Sequence, residues 1–218
     1  MNQERDITND ISRSATLLTQ SISNQSLVTA SLQECITDIL KRIVYIKQIW
    51  YSRETYRFSQ MLISDVLNAF CALSSTDQRV FYFYLRSSIE NFYKSSILAD
   101  DHAQVAYYQA ENDFNQLTAT NFNFIWQFKY LKFEYSYFSD LVHFNPTLKC
   151  NTTDEFITET LRKNDFSEYK VLSQAAFSML NLLEVYSDFY QRMPAFEPRE
   201  DSFYRRKDLR RFMKKLIK

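Results

Sequence analysis

Arg86 and Glu90 stand four residues apart in Leu85-Arg86-Ser87-Ser88-Ile89-Glu90, and Ser139 and His143 stand four apart in Tyr137-Phe138-Ser139-Asp140-Leu141-Val142-His143. On a helix that spacing puts each pair on one face. An imidazole serves as general acid or base near neutral pH. A guanidinium holds a phosphate through two N–H groups and stabilises charge that develops on it. Converged from two packed helices, Arg86, Glu90, Ser139 and His143 would suit attack of a ribose 2′-hydroxyl on its own phosphate. His143 would move the proton, Arg86 would clamp the phosphate, and Glu90 would pair with and orient Arg86. Ser139 or Asp140, one turn before His143, would set the imidazole. The same residues also suit a structural network that fixes helix register, because an arginine among Tyr82, Ile89 and Tyr93 needs a partner when buried.

A second chemistry-bearing stretch closes the chain. From Arg199 to Lys218 there are nine Lys or Arg against three Asp or Glu, a net of +6, while the chain as a whole is neutral. Arg205, Arg206, Lys207, Arg210, Arg211, Lys214 and Lys215 make this end a candidate contact for nucleic acid. Phe203, Leu209, Phe212, Leu216 and Ile217 interleave with them, so an anionic membrane surface is an alternative partner. His102 follows Asp100 and Asp101, a cluster that reads more readily as a helix cap than as a metal site. Cys35, Cys71 and Cys150 share no close spacing and suggest neither zinc nor a disulfide framework. No metal and no cofactor is expected.

The elements that must position these residues are helices. Leu32, Ile36, Ile39, Ile43, Ile46 and Trp50 form a seam in steps of four and three. Residues 54 to 73 carry Phe58, Leu62, Val66, Ala69, Phe70 and Leu73 on one face. The next helix has the stripe Phe81, Leu85, Ile89 and Phe92, with Tyr82, Arg86, Tyr93 and Ile97 along its edge. A shorter helix is expected over residues 101 to 117, followed by turn and cap residues from Thr118 to Asn121. Phe124, Phe128, Leu131, Tyr135, Phe138 and Val142 mark a helix that Pro146 stops. Residues 147 to 165 are polar, with room for a short helix near 155 to 161. Residues 166 to 191 make the last bundle helix, with Tyr169, Leu172, Ala176, Leu180, Leu183, Tyr186 and Tyr190, and a basic helix follows over 199 to 217. The first 25 residues hold only the narrow stripe Ile7, Ile11, Leu18 and Ile22, a marginal helix that needs a partner.

Composition supports an all-α fold. The 218 residues include no Gly, and Pro stands only at Pro146, Pro194 and Pro198. Tight hairpins and left-handed turns rely on Gly, so a β-rich fold is disfavoured, and Gly-rich phosphate loops are excluded. With 45% hydrophobic and 17% aromatic residues the chain can fill a core. The expected organisation is an N-terminal extension over residues 1–26, a helical bundle over 27–192 and a basic C-terminal helix over 193–218. The N-terminus lacks the form of a signal peptide and no apolar run is long enough to span a bilayer, so a cytoplasmic protein is expected.

The two motifs together resemble divergent bacterial members of the HEPN superfamily, in which an Arg-Ser-x-x-Glu helix is followed by a later Ser-x-x-Val-His helix. The resemblance rests on Arg86, Glu90, Ser139 and His143 and covers roughly residues 55 to 190. It implies a HEPN-like helical bundle that is often a homodimer. It also implies a role in bacterial or mobile-element defence or stress, of toxin type, with RNA bound or cut without a metal, and a cognate partner such as an antitoxin. The compact motif of catalytic members, in which His follows Arg after a few residues, does not occur here. A non-catalytic module that recruits a protein through the Leu32 to Trp50 seam is the competing expectation.

Overall fold

The computed structural model describes residues 2–23, 30–51, 57–74, 78–97, 105–119, 125–143, 169–192 and 215. The chain is all-α. Its helices are α1 (Asn2–Ser23), α2 (Ala30–Tyr51), α3 (Arg57–Ala72), α4 (Gln78–Ser96), α5 (Tyr107–Ala119), α6 (Ile125–Val142) and α7 (Tyr169–Arg192), and no strand occurs among the described residues. No helix there is long and apolar enough to cross a membrane. Contacts divide the chain into residues 1–55 with 173–218, and residues 56–172.

In the first unit the seam of α2 is buried as its spacing predicts: Leu32, Ile36, Ile39, Ile43 and Ile46 are all in the core. The N-terminal segment is helical and packs on α2, burying Ile11 and Ala15. A stripe that narrow does not hold a helix alone, and the α2 partner supplies what local propensity lacks. Arg42 of α2 reaches Glu184 of α7 at 2.7 Å. Burial pushes the Cys35 thiol up to about 12, with Asp38 and Glu184 adding to the effect.

The second unit carries the motifs. The five α3 positions named from sequence and Leu73, just past its end, are all buried, as are Phe81, Leu85, Ile89 and Phe92 of α4. Full burial of a side chain such as Leu62 contributes about 1.5–3 kcal/mol. The two helices form the closest pairing in the unit. Asn91 of α4 donates to Asp65 of α3 at 2.7 Å. Ser88 and Ser95, on the same stripe as Asn91, are buried and donate to Leu85 and Phe92 carbonyls at 2.7 and 3.0 Å. Small residues whose hydroxyls are satisfied within their own helix let two backbones approach without orphaned donors.

An aromatic cluster joins α4, α5 and α6. Phe114 lies with its centroid 4.9 Å from Tyr93, 5.5 Å from Phe92 and 4.8 Å from Phe128. Edge-to-face pairs of this kind stabilise beyond their buried area. Thr118, expected as a turn or cap, lies inside α5. Its hydroxyl donates to the Phe114 carbonyl at 2.9 Å, so it back-bonds to the helix instead of ending it.

Candidate functional site

Helices α4 and α6 run antiparallel. Arg79, early in α4, donates to the Val142 carbonyl at the end of α6 at 3.0 Å. Arg86, two turns on, meets Tyr135 and Ser139. A cation at the last carbonyls of a helix satisfies an orphan acceptor and complements the helix dipole. The α4 sequence places Arg79, Phe83, Arg86 and Glu90 in steps of four, three and four. None of the four is buried, so they form the edge of α4 that looks past α6 to solvent.

Arg86 is the centre of this edge. Its Nε donates to Ser139 Oγ at 2.8 Å and one terminal nitrogen donates to the Tyr135 hydroxyl at 2.7 Å. The guanidinium carbon also lies 4.8 Å from the Tyr135 ring centroid. Tyr135 is itself fixed: its ring stacks on Tyr107 of α5 at 3.7 Å and 7°. Burial pushes the Tyr135 phenol up, and the Arg86 charge opposes that shift. Burial also raises Tyr107, with Tyr93, Glu111, Tyr135 and Tyr108 adding to it. Both phenols therefore stay neutral, and Arg86 is held by two uncharged hydroxyls. Among the described residues no carboxylate lies within ion-pair distance of it.

The arrangement thus brings Arg86 and Ser139 together but corrects the expected role of Glu90. Glu90 accepts from Lys94 at 2.6 Å, not from Arg86. The hydroxyls of α6 draw the guanidinium toward that helix. Lys94, one turn C-terminal to Glu90, has the favourable order for a helical ion pair. His143 ends α6, where its backbone N–H donates to the Ser139 carbonyl at 2.9 Å. Its side chain is exposed and makes no hydrogen bond or ion pair among the described residues. Ser139 therefore orients Arg86 and does not hold the imidazole.

Asp65 lies on the far side of α4. It accepts from Asn91 and from Ser87. Burial pushes its carboxyl above the usual aspartate range, the two hydrogen bonds pull it back, and the Glu90 charge raises it again. Glu111 of α5 is buried and pairs with Lys132 of α6 at 2.9 Å, which ties those helices together.

Arg205, Arg206, Lys207, Arg210, Arg211 and Lys214 lie outside the described residues, as do Asp100, Asp101 and His102, and Lys215 is helical and exposed. Among the described residues no three His, Cys, Asp or Glu side chains are grouped to hold a metal ion. Two partners that the sequence analysis did not assign carry a spacing signal: Tyr135 stands four residues before Ser139, and Arg79 seven before Arg86. Tyr107 carries no such signal, because α5 reaches Tyr135 only through tertiary packing. Comparison with protein-family models, curated proteins and solved structures finds no match.

Proposed function

We propose that this protein is a HEPN-like helical bundle that binds RNA, with Arg86 as its phosphate contact, in a bacterial or mobile-element defence or stress system. One observation carries the reading. Arg86 is oriented by two neutral hydroxyls and has no carboxylate partner among the described residues. No described carboxylate pairs with its charge, and a guanidinium with N–H groups beyond those two bonds suits a phosphodiester. Exposed Phe83 stands on the same edge and offers a ring to a base, and the basic C-terminal segment adds counterion-releasing contacts. His143, exposed one turn beyond Ser139, is the group that would move a proton if the RNA is also cut.

Binding of a labelled RNA by the full chain tests this. Arg86→Ala is expected to weaken binding about tenfold, a loss of about 1.4 kcal/mol. Arg86→Lys restores little, because an ammonium cannot span Ser139, Tyr135 and a phosphate together. Binding unchanged in Arg86→Ala removes the reading. Cleavage is tested separately: His143→Ala should abolish it and leave the affinity in place.

A further inference from the structure

Glu134 of α6 is an acid sealed among aromatic rings. It is only 8% exposed. The Tyr130 hydroxyl donates to its carboxyl group, while Oε2 is fully enclosed and has no hydrogen-bond partner. Among the described residues it forms no ion pair. Lys132 of the same helix pairs with Glu111 of α5, and Arg86 of α4 is taken by the hydroxyls of Tyr135 and Ser139. Tyr130, Glu134, Tyr137 and Leu141 follow in steps of four, three and four, so they share one side of α6. Tyr82 of α4 packs there, its ring centroid 6.4 Å from that of Tyr137 and 5.4 Å from that of Phe138. Burial pushes the Tyr82 phenol up, and Tyr137 and Glu134 add to the shift. Tyr82 is thus the titratable group that α4 turns toward Glu134, and Tyr130 and Tyr137 are those beside it on α6.

A carboxylate enclosed in this way without a cation is costly, whereas the neutral acid is tolerated. Burial accordingly pushes the Glu134 carboxyl above the usual glutamate range, and the Tyr130 hydrogen bond opposes that shift. With its second oxygen sealed by rings, the ligand that neutralises it in place is the smallest one, a proton. The seal is thinnest at Tyr137 and Leu141, which are 46% and 36% exposed. Water that rehydrates the carboxylate enters by parting this side of α6 from Tyr82. We propose that Glu134 is a proton-operated latch on the α4–α6 pair: the neutral acid stays seated against Tyr82, and the carboxylate drives local opening of α6 along its Tyr137 side. Tyr135 and Ser139 belong to the same helix, so opening also releases the hydroxyls that orient Arg86. Acidification therefore favours the anion site, a consequence that rests on the RNA reading, whereas the latch itself does not. The sign follows from linkage. The closed state holds the proton more tightly than the open one. Opening therefore grows as pH climbs from the ordinary glutamate value to the raised one, by up to about tenfold per pH unit for a single proton, and levels off above it.

Amide hydrogen exchange of the full chain across a pH series, corrected for the intrinsic rate at each pH, tests this. In wild type the protection of α6 should fall through that window and then level off. Glu134→Gln keeps an oxygen for the Tyr130 hydroxyl and carries no charge, so its α6 protection should stay level. Asp65 is the other raised carboxyl of this unit and acts between α3 and α4, so the course of α3 should be the same in wild type and Glu134→Gln. Tyr130→Phe is the second variant. It removes the bond that favours the carboxylate and should carry the window to higher pH, a shift that a purely structural Glu134 does not produce. The same α6 course in wild type and Glu134→Gln overturns the proposal. So does a Glu134→Gln effect shared equally by α3 and α6, which marks global rather than local opening, or a Tyr130→Phe window that does not move.

Discussion

Arg86 shows how a single residue can be recognised from sequence while its partner is not. Its position beside Tyr82, Ile89 and Tyr93 marks an arginine at a core edge, and the structure puts it there. Which group meets it depends on where α6 lies, and α6 brings hydroxyls rather than a carboxylate. The energetic consequence is testable. Hydrogen bonds from a charged guanidinium to neutral hydroxyls are worth about 1.5–3 kcal/mol on truncation, less than the about 3–5 kcal/mol lost when a buried ion pair is broken. Arg86→Ala should therefore lower stability modestly in urea unfolding, and Ser139→Ala should be non-additive with it. Glu90→Ala should add independently to Arg86→Ala, because Glu90 belongs to Lys94. Cys35 gives a second residue-scale outcome. With its thiol pushed up to about 12, it carries almost no thiolate at neutral pH. In a Cys71→Ser, Cys150→Ser variant, a maleimide should label Cys35 only after denaturation.

Among the elements, α2, α3 and α4 were legible over their described residues because their apolar residues recur at helical spacing and nothing competes with that period; the Trp50 side chain and residues 54–56 lie outside the described part. The stripes Leu32 to Ile46, Phe58 to Leu73 and Phe81 to Phe92 are buried as read. The boundary of α5 was not legible at Thr118, since threonine caps a helix or back-bonds within one with equal local chemistry. The α3–α4 pairing carries a pH dependence. Asp65 has a folded pKa raised above its unfolded value, so the folded state holds that proton more tightly. Stability from this group is greatest at low pH and declines as pH rises from the ordinary aspartate value through the raised one. Asp65→Asn keeps an oxygen for the Asn91 amide and removes the buried charge beside Glu90. It should raise the melting temperature at neutral pH and flatten the profile across that window. In the same interface Leu62→Ala should cost about 2–5 kcal/mol by leaving a cavity.

For the whole molecule, contacts gather residues 1–55 with 173–218 and leave 56–172 as the other unit. Seams such as that of α2 say how much surface each helix buries and not against what, so linear position does not reveal which helices share a unit. Charge is distributed unevenly as well: the net +6 of residues 199–218 leaves −6 for the remainder. Removing residues 199–218 should leave far-ultraviolet circular dichroism of the bundle in place, weaken RNA binding and reduce its dependence on salt. Equal salt slopes for the full and shortened chains would take that segment out of the contact.

The parallel stack of Tyr107 on Tyr135 also makes the site optically visible. Two phenol chromophores held face to face at 3.7 Å couple their transitions, so the pair contributes a near-ultraviolet dichroic band that scattered tyrosines do not. The Tyr135 hydroxyl is bonded to Arg86, so an anion that pulls on the guanidinium is expected to disturb one member of the couple. Titrating RNA should change that band in wild type. Tyr107→Leu, which keeps Tyr135 and Arg86 but uncouples the rings, should bind without the change.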